Sequence, residues 1–520
     1  MDDAPGTAAK PASLSPEELS RTADTLEALT RTPDFLFTLP QPERLRLIRA
    51  AGRVSRPSRP ELIAMSRRNR KKLHKAEKQA DRVSRSETGI RQARGEKVFT
   101  APGYVPPGDP RRAWRTLSTP RHCYCCKADF DKMHFFYDAL CPDCADFNYD
   151  KRFQSADLSG RVALVTGSRV KIGFQIGLKL LRAGATVVAT TRFPHDSAQR
   201  YAREADFSEW KDRLVVHGLD LRHAPSVELL ARHLEATLPR LDFIVNNAAQ
   251  TVRRPPGWYG HLQALEALPS SSLPPEQRAL LADRTRLLGS LGGQLALEAP
   301  HGAEGAVQVW SGRRTAVGLR ASAALAMVPY THDDEESLAA EAFPEGALDA
   351  DLQQVDLRRR NTWRLGLAEV ATAEMLEVHL VNAVAPFILN ARLKPLMLRS
   401  PERDKHVVNV SAMEGVFSRG TKTEKHPHTN MAKAALNMMT LTAAKEYVKD
   451  GIHMNAVDTG WVTDEDPQHL TLMKQAVHDF QPPLDIVDGA ARVLDPVLNG
   501  ANTGFHEWGK FLKDYKPASW

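Results

Sequence analysis

The sequence predicts an α/β protein: a doubly wound parallel sheet preceded by a small cysteine-held module and a helical, basic extension. Three observations carry this. Short apolar runs alternate with amphipathic stretches from Leu158 onward, all five cysteines fall between Cys123 and Cys144, and the excess positive charge is concentrated in one upstream segment. The 520 residues allow two to four domains at about 100–200 residues each. A hydrophobic content of 42% with 26% charged residues fits a protein with a real core, and excludes collagen-like, mucin-like and fully disordered chains. No run of 18 apolar residues occurs, so no transmembrane helix or membrane partner is expected. The start, MDDAPGTAAKPASLSPEEL, lacks the apolar stretch of a secretory signal, which makes a cytoplasmic location the expectation.

Residues 1–120 read as a helical, basic region and a linker. Residues 1–14 form a flexible tail. Ser15-Pro16-Glu17-Glu18 then supplies an N-cap, a proline at the first helical position and early acids, so a helix begins there. Helical patterning continues in pieces to about residue 96. Residues 97–120, with APGYVPPGDPRR, read as a linker. Between Arg67 and Lys97 stand 12 Lys/Arg against 4 Asp/Glu; the whole chain carries a formal charge of +7, so the remainder is close to neutral. The centre of this segment, SRRNRKKLHKAEK (66–78), is a solvated helix or a partner site for a protein or for nucleic-acid phosphates, although no recognition motif surrounds it.

Residues 121–150 hold Cys123-x2-Cys126 and Cys141-x2-Cys144. Two such pairs bracketing a short loop can place four thiolates tetrahedrally round Zn²⁺. Such a closed site has no open position for water, so the metal is expected to be structural. An iron–sulfur centre and a plain cluster of reduced thiols are the alternatives. Cys125 is left over, since the spacing favours its neighbours.

Residues 155–520 carry the strand–helix alternation. RVALVT (161–166) leads into a glycine turn, then Ile172, Ile176 and Leu180 at helical spacing, closed by Gly184. TVVATT (186–191), RLVVHG (213–218), DFIVNN (242–247), HVVNVS (406–411) and IHMNAV (452–457) supply further strands. The turn Thr166-Gly167-Ser168-Arg169-Val170-Lys171-Ile172-Gly173 lets a backbone approach a pyrophosphate at a helix N-terminus. Where an acid would bind a ribose 2′-hydroxyl, this chain has Thr191 and Arg192. Arg192 and Arg169 would instead hold a 2′-phosphate, which favours NADP over NAD.

These segments resemble the short-chain dehydrogenase/reductase family. TGSRVKIG is similar to its glycine turn, Asp220-Leu221 to its adenine-contacting pair and Asn246-Asn247-Ala248-Ala249 to its NNAG strand end. Asn382, Ser411 and Lys433 match three of its four catalytic residues, and Asp458-Thr459-Gly460-Trp461-Val462-Thr463 resembles its PGxxxT segment. The resemblance covers about 158–520. It implies a Rossmann fold of strand order 3-2-1-4-5-6-7 and hydride transfer with a small carbonyl or alcohol substrate. It further implies cofactor contacts from Gly167, Arg169, Lys171, Ile172, Gly173, Arg192, Asp220, Leu221, Asn247, Ala248, Lys433 and Thr463, and a homo-oligomer by family analogy. Ser411 would polarise the carbonyl, Lys433 would hold the ribose and Asn382 would support a relaying water.

Two positions depart from the family. The middle glycine of the turn is Lys171, which would touch phosphate or crowd the cofactor. The catalytic tyrosine position, four before the lysine, is Thr429, whose aliphatic hydroxyl is a far weaker acid than a phenol. His426 and His428 are candidate replacements, or simply cap a helix beginning near Pro427. Either the chain is an oxidoreductase with a substitute acid, or it is an impaired dinucleotide-binding scaffold or sensor that uses its zinc module and basic helix. Between Asn247 and Asn382 lies an insertion, about 251–365, expected to form a lid or substrate subdomain. Trp258 and Tyr259 would line the site or pack a core, SSSLPPEQ and APHGAEGA are loose enough to be disordered, and Asp333–Glu336 form an acidic patch.

Overall fold

In the computed structural model, residues 14–291, 316–330 and 341–520 are described. They divide into two compact units, Met1–Gln79 and Ala80–Trp520. The first contains helices Pro16–Arg31 and Gln41–Ser55 and most of the helix Arg59–Ser86. Its start is where the sequence placed it. Ser15 Oγ accepts from the Glu18 N–H, and the Glu18 carboxylate accepts from the Ser15 N–H at 2.7 Å, a reciprocal cap. Residues 66–78 are exposed along their whole length.

The second unit opens with the end of the helix Arg59–Ser86 and the short helix Gly89–Gly95, then a hairpin, β1 (Arg115–His122) against β2 (Asp129–Met133), followed by the helix Pro142–Phe153. β1 starts inside the stretch read as linker, because Arg115–His122 finds an antiparallel partner that proline content alone does not reveal. Cys123 and Cys126 occupy the hairpin turn; Cys141 caps the helix and Cys144 sits in its first turn. The four sulfurs lie within 4.8 Å of one another, a cluster compatible with a small zinc module.

The main sheet comprises β3 (Val162–Thr166), β4 (Thr186–Thr191), β5 (Leu214–Gly218), β6 (Phe243–Asn246), β7 (Lys405–Ser411), β8 (Ile452–Asp458), β9 (Phe511–Lys513) and β10 (Lys516–Ala518). Its order is β10-β9-β8-β7-β6-β3-β4-β5, with every pairing parallel except β9–β10. This is the expected doubly wound order, with an antiparallel edge strand added. β9 and β10, three residues each, were too short to announce themselves in the sequence. Both faces are covered, as parallel strands buried along nearly their whole length require. Ile176, Leu180, Val493 and Val497 pack on one face, and Leu230, Leu234, Leu389 and Leu393 on the other. Among the described residues one helical stretch, Thr372–Leu398, is long and apolar enough to cross a membrane, but Leu389, Leu393, Leu396 and Met397 on it are fully buried in this second core.

The cysteine module shares a third apolar cluster with Val462, Leu484, Ile486 and Val487 of the sheet domain. Arg152, fully buried, makes a bidentate pair with Asp485 at 2.6 and 2.7 Å, and Tyr137 donates to Asp488 at the start of the helix Ile486–Thr503. Breaking such a buried pair by removing one partner typically costs about 3–5 kcal/mol.

The insertion is partly ordered. SSSLPPEQ, expected to be loose, instead forms a short 3-10 turn at Ser270–Ser272 and the start of a helix, Pro275–Leu280, because Leu273 and Leu280 are buried beside Trp210 and Leu214. APHGAEGA, Asp333–Glu336 and nearly all of the N-terminal tail lie outside the described residues.

Candidate functional site

The glycine turn follows β3 and opens the helix Lys171–Arg182. Two glycines are demanded by space. Gly167 has φ +66°, and a Cβ there would sit 2.9 Å from the Ala248 backbone; at Gly173 a Cβ would lie 2.1 Å from the Gly167 carbonyl oxygen. Lys171, at the position where glycine was expected, adopts φ 54°, the left-handed region that costs a non-glycine residue roughly 1–2 kcal/mol. Asn247 Nδ2 donates to the Thr166 and Gly167 carbonyls at 3.1 and 3.2 Å, and the Ala248 N–H donates to Thr166 Oγ1 at 3.0 Å. The strand end of β6 therefore fixes the shape of the turn.

A cleft of about 380 Å³ opens over this turn, at the carboxyl ends of the strands. Gly167, Arg169, Lys171, Ile172, Gly173, Arg192, Asp220, Leu221, Asn247, Ala248 and Thr463 all line it, so every expected cofactor residue except Lys433 is brought together. At one end, Asp220 is fully buried and bound by the Arg222 guanidinium. Burial alone would raise its carboxyl, but Arg222, with Arg192 behind it, holds it below the ordinary value. Arg169 pairs with Asp196 at 2.7 Å and also contacts Gln353. Arg192 has no carboxylate partner among the described residues; its Nη2 donates to Tyr259 Oη at 2.6 Å and its charge lies 4.7 Å over that ring. Of the two arginines expected to meet a 2′-phosphate, only Arg192 is uncommitted.

Of the residues that the insertion contributes to this wall, the sequence pointed to Trp258 and Tyr259 but not to Arg254 or Gln353. Arg254, Trp258, Tyr259 and Gln353 all line the cleft. Trp258 and Tyr259 do both things expected of them, since they also pack with Phe193, Leu262 and Phe343. No spacing could have exposed Gln353, which reaches the site from the far end of the insertion.

Asn382, Ser411, Thr429 and Lys433 are buried and form no part of the cleft lining. Asn382, in a π-helical turn, exchanges hydrogen bonds with the Gln250 main chain at 2.7 and 3.0 Å. Ser411, at the end of β7, donates to Asn437 Oδ1 at 2.5 Å. Lys433 Nζ donates to the Val410 carbonyl at 2.7 Å, and burial pushes its ammonium down to about 8. Thr429, Lys433 and Asn437 share one face of the helix Pro427–Tyr447, which starts where the sequence placed it. Asn437 was missed, although its i+4 spacing from Lys433 was the available signal. Among the described residues the Thr429 hydroxyl has no hydrogen-bond partner. His426 stacks on Trp363 at 3.8 Å, and His428 is buried with Nε2 3.5 Å from Glu374. Neither histidine lines the cleft.

Two sequence models of known families match the chain: one described as short chain dehydrogenase over residues 161–259, the other as Enoyl-(Acyl carrier protein) reductase over 348–482. The gap between them falls within the insertion. Uncharacterized protein R665 of Acanthamoeba polyphaga mimivirus is 29% identical over 404 residues, spanning 76% of this chain and 74% of that protein. The (-)-isopiperitenone reductase of Mentha piperita is 37% identical over 91 residues, 17% of this chain and 28% of that one. Among solved structures, the Pseudomonas aeruginosa RhlG/NADP active-site complex aligns with a TM-score of 0.40 and 18% identity, covering 68% of this chain and 95% of that one. The NADPH-bound carbonyl reductase from chicken fatty liver aligns with 0.40 and 17%, covering 70% and 100%.

Proposed function

The chain belongs to the short-chain dehydrogenase/reductase family, and on that premise we propose that it is an NADP(H)-dependent oxidoreductase acting on a small carbonyl or alcohol substrate. One observation carries the cofactor assignment. The position that would bear a 2′-hydroxyl-binding acid bears Arg192 instead, on the cleft wall and free of any carboxylate among the described residues. In this reading the backbone of the Gly167–Gly173 turn cradles the diphosphate at a helix N-terminus. Asp220 and Leu221 border the adenine, Asn247 and Ala248 hold the turn, and Thr463 closes the opposite wall. NADPH would supply a hydride to the carbonyl carbon, the carbonyl oxygen taking a proton. Ser411 polarises that oxygen, Lys433 holds the ribose and Asn382 supports a water. Thr429 stands where the family places its phenol.

A specific observation favours a second reading, in which the chain binds the dinucleotide as a scaffold or sensor. Ser411, Lys433 and Asn382 are each satisfied by protein groups, and Thr429 offers no titratable proton near neutral pH. In that reading the exposed basic segment 66–78 and the cysteine module would meet a protein or nucleic-acid partner. We assign zinc to the four clustered thiols in either case.

The experiment is a pair of titrations. A charge-assisted hydrogen bond to a 2′-phosphate is worth about 1.5–3 kcal/mol. Arg192→Gln should therefore weaken NADPH binding by about ten- to a hundredfold and leave NADH binding unchanged. Equal losses for both nucleotides would reduce Arg192 to a packing residue. Nicotinamide absorbance with a carbonyl panel then separates the readings: turnover that is lost in Ser411→Ala supports the enzyme, and tight binding with no turnover supports the scaffold.

A further inference from the structure

Outside the cleft and the cysteine module, three side chains from three separate elements converge on one point. His217 comes from β5, His233 from the helix Ala224–Thr237, and Asp283 from the insertion helix Ala282–Ser290. Their ligand atoms all lie within 4.8 Å of one another. His217 Nε2 is 3.0 Å and His233 Nε2 is 2.7 Å from the same oxygen, Asp283 Oδ2. The other carboxylate oxygen accepts from Arg286 at 2.8 Å, which orients the group. We infer that His217, His233 and Asp283 form a second, independent metal site that binds Zn²⁺ with water in the fourth position.

The chemistry of the cluster points to a metal ion. Two imidazoles and one carboxylate are a donor set suited to zinc among first-row divalent ions, and three protein ligands with an open position make a familiar coordination shell. Ligand atoms about 2.0–2.2 Å from a tetrahedral zinc stand about 3.4 Å apart, so the His217–Asp283 and His233–Asp283 separations of 3.0 and 2.7 Å would open by about 0.4 and 0.7 Å. The independent observation is His217 itself. Its side chain is 0% exposed, and among the described residues Nδ1 has no hydrogen-bond partner while Nε2 faces the Asp283 carboxylate at 3.0 Å.

The location gives the ion a structural role. His217 stands three residues before Asp220 on the strand that ends in the cleft wall, and the Asp220 N–H donates to the Gly318 carbonyl of the insertion. A metal bridging β5 to the helix Ala282–Ser290 would fasten the insertion to the adenine end of the cleft. This inference is independent of the cofactor and of turnover.

The test uses the full-length protein. Zinc is counted by elemental analysis before and after treatment with an organomercurial, which displaces thiolate-bound metal and leaves a histidine–carboxylate site intact. One mercurial-resistant zinc per chain is expected, and His233→Gln and Asp283→Asn should each lose that equivalent while keeping the mercurial-sensitive one. Cobalt substitution gives a second readout: the resistant ion should show weak visible absorption without a thiolate charge-transfer band. Complete loss of metal on mercurial treatment of the wild type, or a resistant equivalent that survives in His233→Gln, would overturn the assignment.

Discussion

Lys433→Met provides a test of the buried catalytic face that requires no substrate. Lys433 is almost completely enclosed, and its Nζ is held by the Val410 carbonyl rather than by a carboxylate. Burial lowers its pKa to about 8 from an ordinary 10.5, with Glu414 and Asp458 offsetting part of the effect. At about 1.36 kcal/mol per unit this is a penalty on the order of 3 kcal/mol for keeping the ammonium form folded. The sign follows from proton counts. Below pH 8 both folded and unfolded chains hold the proton, and the penalty is fully present. Between pH 8 and about 10.5 the unfolded chain holds more protons than the folded one, so stability rises with pH. Above that range both forms are neutral and the penalty has gone. Methionine carries no charge at any pH. The variant should therefore gain on the wild type by about 3 kcal/mol more at pH 7 than at pH 10.5, with other titrating groups cancelling in the difference. Urea unfolding of both proteins at several pH values reads this directly. A difference that stays flat from pH 7 to 10.5 would refute the reasoning and place Nζ in water, facing the cleft.

Two further predictions concern the glycine turn. Gly173→Ala must push a methyl group against the Gly167 carbonyl, 2.1 Å away, and Asn247 Nδ2, 2.4 Å away, so nucleotide affinity measured by calorimetry should fall at least about a hundredfold. Lys171→Gly removes a left-handed lysine and should stabilise the protein by about 1 kcal/mol, seen as a higher Tm; a lower Tm would show that the Lys171 side chain earns its strained backbone through contacts with Asp351 or its neighbours.

How much of this was legible in the sequence depends on whether a feature is local. The six longest parallel strands were readable because each is buried along nearly its whole length and carries a short run of apolar, mostly β-branched residues. The glycine turn and the paired cysteines were readable because their chemistry fixes short spacings. The strands Phe511–Lys513 and Lys516–Ala518 were not, since three residues carry no periodicity and exist only because β8 offers an edge. The parts of the cleft wall built by Arg254 and Gln353 were equally hidden, as was the convergence of His217 with Asp283, which is 66 positions downstream.

The same distinction bears on Thr429. The sequence locates the substitution but not its consequence, because a tyrosine replaced by a short side chain could open a pocket or close one. Here the helix face closes: Thr429 is buried, Lys433 turns to Val410, and Asn437 takes the Ser411 hydroxyl. In the proposed oxidoreductase a substrate carbonyl would therefore compete with Asn437 for Ser411, and a ribose would compete with Val410 for Lys433. Each competition exchanges one hydrogen bond for another of similar strength, so the net cost is small compared with the binding energy a phosphorylated nucleotide can draw from the turn and from Arg192. For the proposed oxidoreductase, that balance puts the deficit in proton supply at position 429 rather than in the grip on the cofactor.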